Sequence, residues 1–179
     1  KPLAATNNLN FGSPRKPHGS WQFQEAVRGL GDACRKLNAP ITGGNVSFYN
    51  ESPRMSVFPT PVIGMIGLIE NPAHLTRSYF QNDGDAIIII GPAATHCGGS
   101  RILKERAKKL VGPHLEVDWD VELAVQDFVL KSIQNGYIKS CTDIGDGGLA
   151  LALCEKALTS PKNLGCKVNH PPDEDLLPA

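Results

Sequence analysis

This chain has no C-x-x-C pair, no excess of either charge, and no apolar run long enough to cross a bilayer. Each absence excludes a class. Its five cysteines (Cys34, Cys97, Cys141, Cys154 and Cys166) are odd in number and unpaired in spacing, so neither a disulfide framework nor a zinc ribbon is signalled. Cys166 and His170 supply only two metal ligands, which do not make a site. A reducing, cytoplasmic setting fits this cysteine usage. Lys+Arg and Asp+Glu both count 18, which removes the basic excess that sequence-independent nucleic-acid binding requires. The longest apolar runs, "AIIII" and "VIGMIGLI", fall far below the ~20 residues of a membrane helix. No G-x-x-x-x-G-K-[ST] occurs, which excludes a P-loop. The five histidines are scattered, and no Ser-His-Asp or Cys-His arrangement emerges from their spacing.

What is present is an ordinary soluble composition, 41% hydrophobic and 20% charged over 179 residues. That length suits one domain or two small ones. No signal-peptide pattern opens the chain. The start, "KPLAATNNLNFG", lacks methionine, and the end, "HPPDEDLLPA", closes no element, so a fragment is expected. Ser20 is the predicted cap of a helix in which Trp21, Val27, Leu30, Cys34 and Leu37 recur at helical spacing, ending near Asn38. Ile41 and Thr42 read as a short strand entering a Gly-Gly turn, with Val46 to Tyr49 continuing it. A buried strand is predicted over about Val62 to Ile69. The polar stretch "ENPAHLTRSYFQNDGD" divides a piece at 1–75 from a piece at 83–179. After it the pattern alternates. "AIIIIG" (86–91) reads as a buried strand and "GGSRILKERAKKL" as a helix. Asp118 is placed to cap a helix running to about Gln134. "YIKSCT" reads as a strand, "GGLALALCEKAL" as a helix and "GCKVN" as a final strand. The fold class is α/β or α+β in two pieces, and Cys34 and Cys154 fall on apolar helix faces expected in the core.

Three motifs carry candidate chemistry. In "ITGGNVS", bare glycine amides can line a phosphate or ribose. Asn45 offers an amide oxygen to a hard cation, and Ser47 follows two positions on, on the same face of an extended chain. The plain alternative is a glycine-bearing hairpin with a satisfied asparagine. In "CTDIGDGGLA" (141–150), Asp143 and Asp146 stand in the turn between a strand and a helix, with Gly145, Gly147 and Gly148 keeping the backbone thin. Such a turn presents helix amides to an anion, with a metal between carboxylate and phosphate; alternatively Asp146 only caps the helix. The same turn imitates a dinucleotide fingerprint, but the acidic residues that follow, Asp173 and Glu174, lie in a proline-rich tail. In "TNNLNFGSPRKP" (6–17), Asn7, Asn8 and Asn10 can hold turns or read a nucleotide edge. His96, near a glycine-rich helix start, reads as a surface histidine.

In their order, "NNLNFGSPRKP", "WQFQEAVRGLGDACRKLNAPITGGNVSFYNES", "PTPVIGMIGLIE" and "TDIGDGGLALALCEKAL" resemble the formylglycinamide ribonucleotide amidotransferase (phosphoribosylformylglycinamidine synthase) family, from residue 1 to about 160. The likeness is to the second of that family's two homologous halves. The aspartate-rich turn is shared with the wider aminoimidazole ribonucleotide synthetase and selenophosphate synthetase superfamily. The resemblance implies an ATP-dependent C–N ligation with Mg2+, fed with ammonia by a separate glutaminase. It implies that Asn7 and Gly44 contact ATP, Asn45 binds the metal and Ser47 touches substrate. Asp143, Asp146, Gly147 and Gly148 form a possible phosphate or metal turn. Two positions depart from the family: Asn7 stands where Asp is frequent, and Thr142 where many relatives read His. The family's catalytic histidines belong to the first half, so no catalytic residue is implied here and this piece alone is expected to be inactive. Its implied partners are that first half, the glutaminase and a small-molecule substrate, with no nucleic acid and no membrane. A different class of reading is a nucleotide-holding structural module that never turns over.

Overall fold

The structure is a computed structural model that describes residues 2–92 and 97–169. It divides into two compact units, Lys1–Pro72 and Ala73–Ala179. No helix among the described residues is long and apolar enough to cross a membrane.

The first unit is built on a βαβ crossover. Strand β1 (Pro2–Asn10) leads into helix α1 (Pro17–Leu37), which returns to strand β2 (Ile41–Ser47). β1 and β2 pair in parallel, and β3 (Thr60–Gly67) adds antiparallel on the other side of β1, giving the order β2-β1-β3. β1 went unrecognised in the sequence because polar residues fill one of its faces. Its other face, Ala5 and Leu9, is buried, and this period-2 alternation is the signal that could have found it. Burial marks the face that the α1 crossover covers. α1 begins a turn before Ser20. Pro17 takes the first helical position, where its missing N–H costs nothing, and Lys16 is the extended residue before it. Ser20 sits inside the helix, its hydroxyl accepting from Gln24. α1 ends at Asn38 in the left-handed conformation, and Cys34 is half-buried rather than core. Phe11, directly after β1, is the largest side chain that is fully buried. Its ring meets Phe23 of α1 edge-on at 5.4 Å, and Phe23 meets Phe48 at 4.9 Å. β3 forms as predicted but stays exposed along its whole length, because one helix covers too little of a three-stranded sheet.

In the second unit, helices α2 (Arg101–Ala107), α3 (Trp119–Gln134) and α4 (Gly148–Leu158) all form. Ser100 caps α2, and Asp118 caps α3 by accepting from the amides of Asp120 and Val121. The predicted strands do not form. Residues 86–91 have no ladder, and Ile87, Ile88 and Ile89 are exposed rather than buried. "YIKSCT" makes a single bridge, Ser140 with Arg77, and the described part of "GCKVN" makes none. A strand needs a paired neighbour to satisfy its backbone, and the described residues of this unit supply no more than the isolated Arg77–Ser140 bridge. An open groove of about 2430 Å3 lies instead between the 75–92 segment, α3 and α4. The small core centres on Phe80, Ala152 and the buried Lys156. Lys156 donates to the Ser78 carbonyl at 2.6 Å and the Ser140 hydroxyl at 3.0 Å, and burial pushes its pKa down. Cys154, expected in this core, is exposed.

Phe11→Ala should cost about 3–5 kcal/mol through the cavity it leaves. Phe58→Ala, at a side chain 73% exposed, should cost less than about 0.5 kcal/mol. Denaturant unfolding of the two variants checks the contrast.

Candidate active site

The Gly-Gly pair does not make a turn. Gly43 and Gly44 lie inside β2, which runs unbroken from Ile41 to Ser47. β1 supplies the hydrogen bonds that keep this glycine-rich stretch extended. Its register sets Asn7 opposite Gly44, Asn8 opposite Asn45 and Asn10 opposite Ser47. Alternation then sorts the candidate residues onto two faces.

The open face carries Thr6, Asn8 and Asn10 of β1 beside Gly43, Asn45 and Ser47 of β2. Asn45 Nδ2 donates to Asn8 Oδ1 at 3.3 Å, and Asn10 Nδ2 donates to the same oxygen at 3.3 Å. Thr6 Oγ1 donates to the Gly43 carbonyl at 2.9 Å. Asn45 is exposed, and its Oδ1 accepts no hydrogen bond among the described residues. Ser47 sits two residues on, its hydroxyl held by Asn50. Asn7, Asn8 and Asn10 are part of the β ladder and hold no turn. The Asn8–Asn45 bond depends on the cross-strand register, and the bonds of Asn50 depend on the loop after β2 returning to Phe11.

The opposite face, covered at Ala5 and Leu9 of β1 but exposed at Gly44 and Val46 of β2, carries the other pair. The Asn7 amide group packs directly over Gly44. A Cβ there would collide with Asn7 Oδ1, and would lie 2.7 Å from the Asn7 carbonyl oxygen. Asn7 and Gly44 are therefore brought together, as are Asn45 and Ser47, but the two pairs sit on opposite faces. They share only the backbone of β2, whose outer edge has no partner strand among the described residues.

In the second unit, Asp143 and Asp146 lie before α4. Asp146 does not cap that helix: Gly147 does, at φ +84° and with no side-chain bond. A Cβ on Gly147 would also strike the Leu151 side chain at 2.5 Å. Asp146 is exposed and stands 3.8 Å from the Arg101 guanidinium. Gly145 leaves room for the Asp143 carboxylate, 3.3 Å from where its Cβ would be. Among the described residues no three His, Cys, Asp or Glu side chains gather as a metal site. His96, His170, Asp173 and Glu174 lie outside the described residues.

Comparison with known families now bears on both units. The family model described as AIR synthase related protein, N-terminal domain, matches residues 1–69. Its companion, AIR synthase related protein, C-terminal domain, matches residues 82–175. The chain belongs to the AIR synthase-related family. Its fold is α+β, with helices and a mixed three-stranded sheet. This is a family of ATP-using enzymes associated with purine biosynthesis.

In this AIR synthase-related chain the end of β2 is braced by an ion pair that motif reading passed over. Glu51 accepts from Lys16 Nζ at 3.0 Å and from Ser56 Oγ at 2.9 Å. A cavity of about 240 Å3 opens beside them, lined by Gly12, Ser13, His18 and Gln22 among others. The Lys16 hydrogen bond, followed by that of Ser56, holds the Glu51 carboxyl below its ordinary 4.5.

Two outcomes follow from this geometry. Gly44→Ala should cost about 1–3 kcal/mol through the clash with Asn7, whereas Gly43→Ala, with nothing within 4 Å of its Cβ, should cost far less. Thermal unfolding separates them. Because the Glu51 pKa is lower folded than unfolded, its stabilisation is present above about pH 4.5 and is lost as pH falls through the native value. Glu51→Gln should therefore flatten the acid arm of a stability-versus-pH curve.

Proposed function

We propose that this chain is part of the second half of a phosphoribosylformylglycinamidine synthase, working in the cytoplasm. Its reaction is the ATP-dependent amidation of formylglycinamide ribonucleotide. ATP transfers its terminal phosphoryl group to the amide oxygen of the glycinamide group, which makes that oxygen a leaving group. Ammonia released from glutamine attacks the activated carbon, a C–N bond forms, and the C–O bond breaks as phosphate departs, leaving the amidine. In this reading the partners are the enzyme's first half, which carries the catalytic histidines, and the glutaminase that supplies ammonia. The 179 residues by themselves are inactive. The domains follow as 1–75 and 83–179, each part of a larger synthetase domain.

The observation that carries the reading is the state of Asn45. Its nitrogen is tied to Asn8, the residue is exposed, and its oxygen is left as a hard, neutral ligand with no hydrogen bond among the described residues. One such oxygen fits Mg2+, which takes one or two protein oxygens and fills its remaining positions with phosphate and water. Mg2+ held there would neutralise phosphate charge, which suits a site without a P-loop lysine. Ser47, two residues along the same face, is the substrate contact. Asn7 and Gly44 are the ATP contacts, reached across the free outer edge of β2. Asn7, packed over Gly44 on the face away from Asn45, serves ATP by hydrogen bonding. Asp143, Asp146, Gly147 and Gly148 form a second phosphate or metal turn. Its carboxylates are exposed and its glycines are required by the start of α4, which suits anion contact through backbone amides.

In the complete enzyme, Asn45→Ala should weaken Mg2+-dependent ATP binding by about tenfold or more, read by calorimetry with and without Mg2+. Unchanged Mg2+-dependent affinity would remove Asn45 from the site and take this assignment of residues with it.

A further inference from the structure

The Ser47 hydroxyl is held by one side chain. Asn50 lies three residues beyond it, after β2 has ended, and is half-buried against the loop that follows β1. Its Nδ2 stands 2.9 Å from the Ser47 carbonyl oxygen, 3.2 Å from the Phe11 carbonyl oxygen and 3.1 Å from Ser47 Oγ. Its Oδ1 stands 3.2 Å from the same Oγ. An amide nitrogen has only two hydrogens. Two main-chain carbonyls, which can only accept, compete for them with a hydroxyl that can also donate. Giving both amide hydrogens to the two groups that can only accept leaves Ser47 Oγ to donate its own hydrogen to Asn50 Oδ1. The hydroxyl hydrogen then points into the protein, and the Ser47 oxygen presents lone pairs to the open face.

We propose that Asn50 is a positioning residue that turns Ser47 into a hydrogen-bond acceptor, so that the group Ser47 recognises is a donor: an N–H or O–H of the ribonucleotide and not a phosphate oxygen. This rests on the reading of Ser47 as the substrate contact. The backbone supports the same arrangement. Phe11 N–H donates to the Ser47 carbonyl at 3.0 Å, and Asn50 N–H donates to the Phe11 carbonyl at 3.1 Å. The Asn50 amide therefore closes a ring of bonds around the exit of β2, and Ser47 Oγ is its one side-chain partner.

The test is steady-state kinetics on the complete enzyme with Ser47→Ala, Asn50→Ala and the double variant. Each single change should raise KM for the ribonucleotide about tenfold, with kcat and the KM for ATP changed less than about twofold, since one uniform binding hydrogen bond is lost. The double variant should be no worse than either single one, because both remove the same bond. If Ser47→Ala raises KM while Asn50→Ala does not, or if the two effects multiply, the positioning role is overturned and the substrate-contact reading stands. If Ser47→Ala leaves KM unchanged, the reading of Ser47 fails and the proposal fails with it. Should Asn50→Ala unfold, Asn50→Leu decides. Leucine keeps the size of the side chain but can neither donate nor accept, and both carbonyls keep their main-chain donors. Its KM should rise about as far as that of Ser47→Ala. A KM equal to the parent's would overturn the proposal.

Discussion

The parallel pairing of β1 with β2 is the constraint on which the first unit depends. A glycine-rich segment has little reason to be extended by itself, since glycine loses the most backbone freedom on ordering. The ladder to β1 supplies the reason, and the register decides the chemistry. A slip of one residue would move Asn45 and Ser47 to the covered face and bring Gly44 to the open one. Three devices hold the register in place. The Asn7 side chain fills the space that Gly44 leaves empty. The Asn8–Asn45 bond ties the strands on the opposite face. Phe11, buried against Phe23, pins the end of β1 to the Ser47 carbonyl.

The loop after β2 extends the same constraint outward. Asn50 returns to Phe11 and Ser47, and Glu51 reaches Lys16 and Ser56. Lys16 precedes α1, so the start of the helix and the exit of β2 are tied at one point. The pair is solvent-exposed on the lysine side and contributes little net stability. Its effect is geometric: the backbone around Ser47 is held from both sides while the hydroxyl and the neighbouring Asn45 oxygen remain accessible.

The second unit shows the opposite situation. Its helices are locally well specified, by Ser100 and Asp118 as caps and by glycines at the start of α4. Its strand-like segments have β-rich composition but, among the described residues, only an isolated bridge between Arg77 and Ser140, and an isoleucine run that reads as buried lies exposed on a wide groove. Among the described residues, Lys156 is the one large polar side chain in its core, kept satisfied by a carbonyl and a hydroxyl.

Legibility in the sequence followed the range of the interaction. Helices α3 and α4, the cap at Asp118 and the end of α1 at Asn38 were readable because capping and helical periodicity act within a few residues. The residue types suited to phosphate and cation chemistry, Gly44, Asn45 and Ser47, were readable for the same reason, and so was the sharing of one face by Asn45 and Ser47. The continuity of β2 through its glycines was not readable, because bonds from β1, more than thirty residues away, decide it. Nor was the separation of Asn7 and Gly44 from Asn45 and Ser47, or the reach of Asn50 back to Phe11. By itself the sequence determined which helices form and which side chains are available for chemistry. The tertiary structure decided which of them face the same way, because strand register is a long-range pairing and only register tells one face of a sheet from the other.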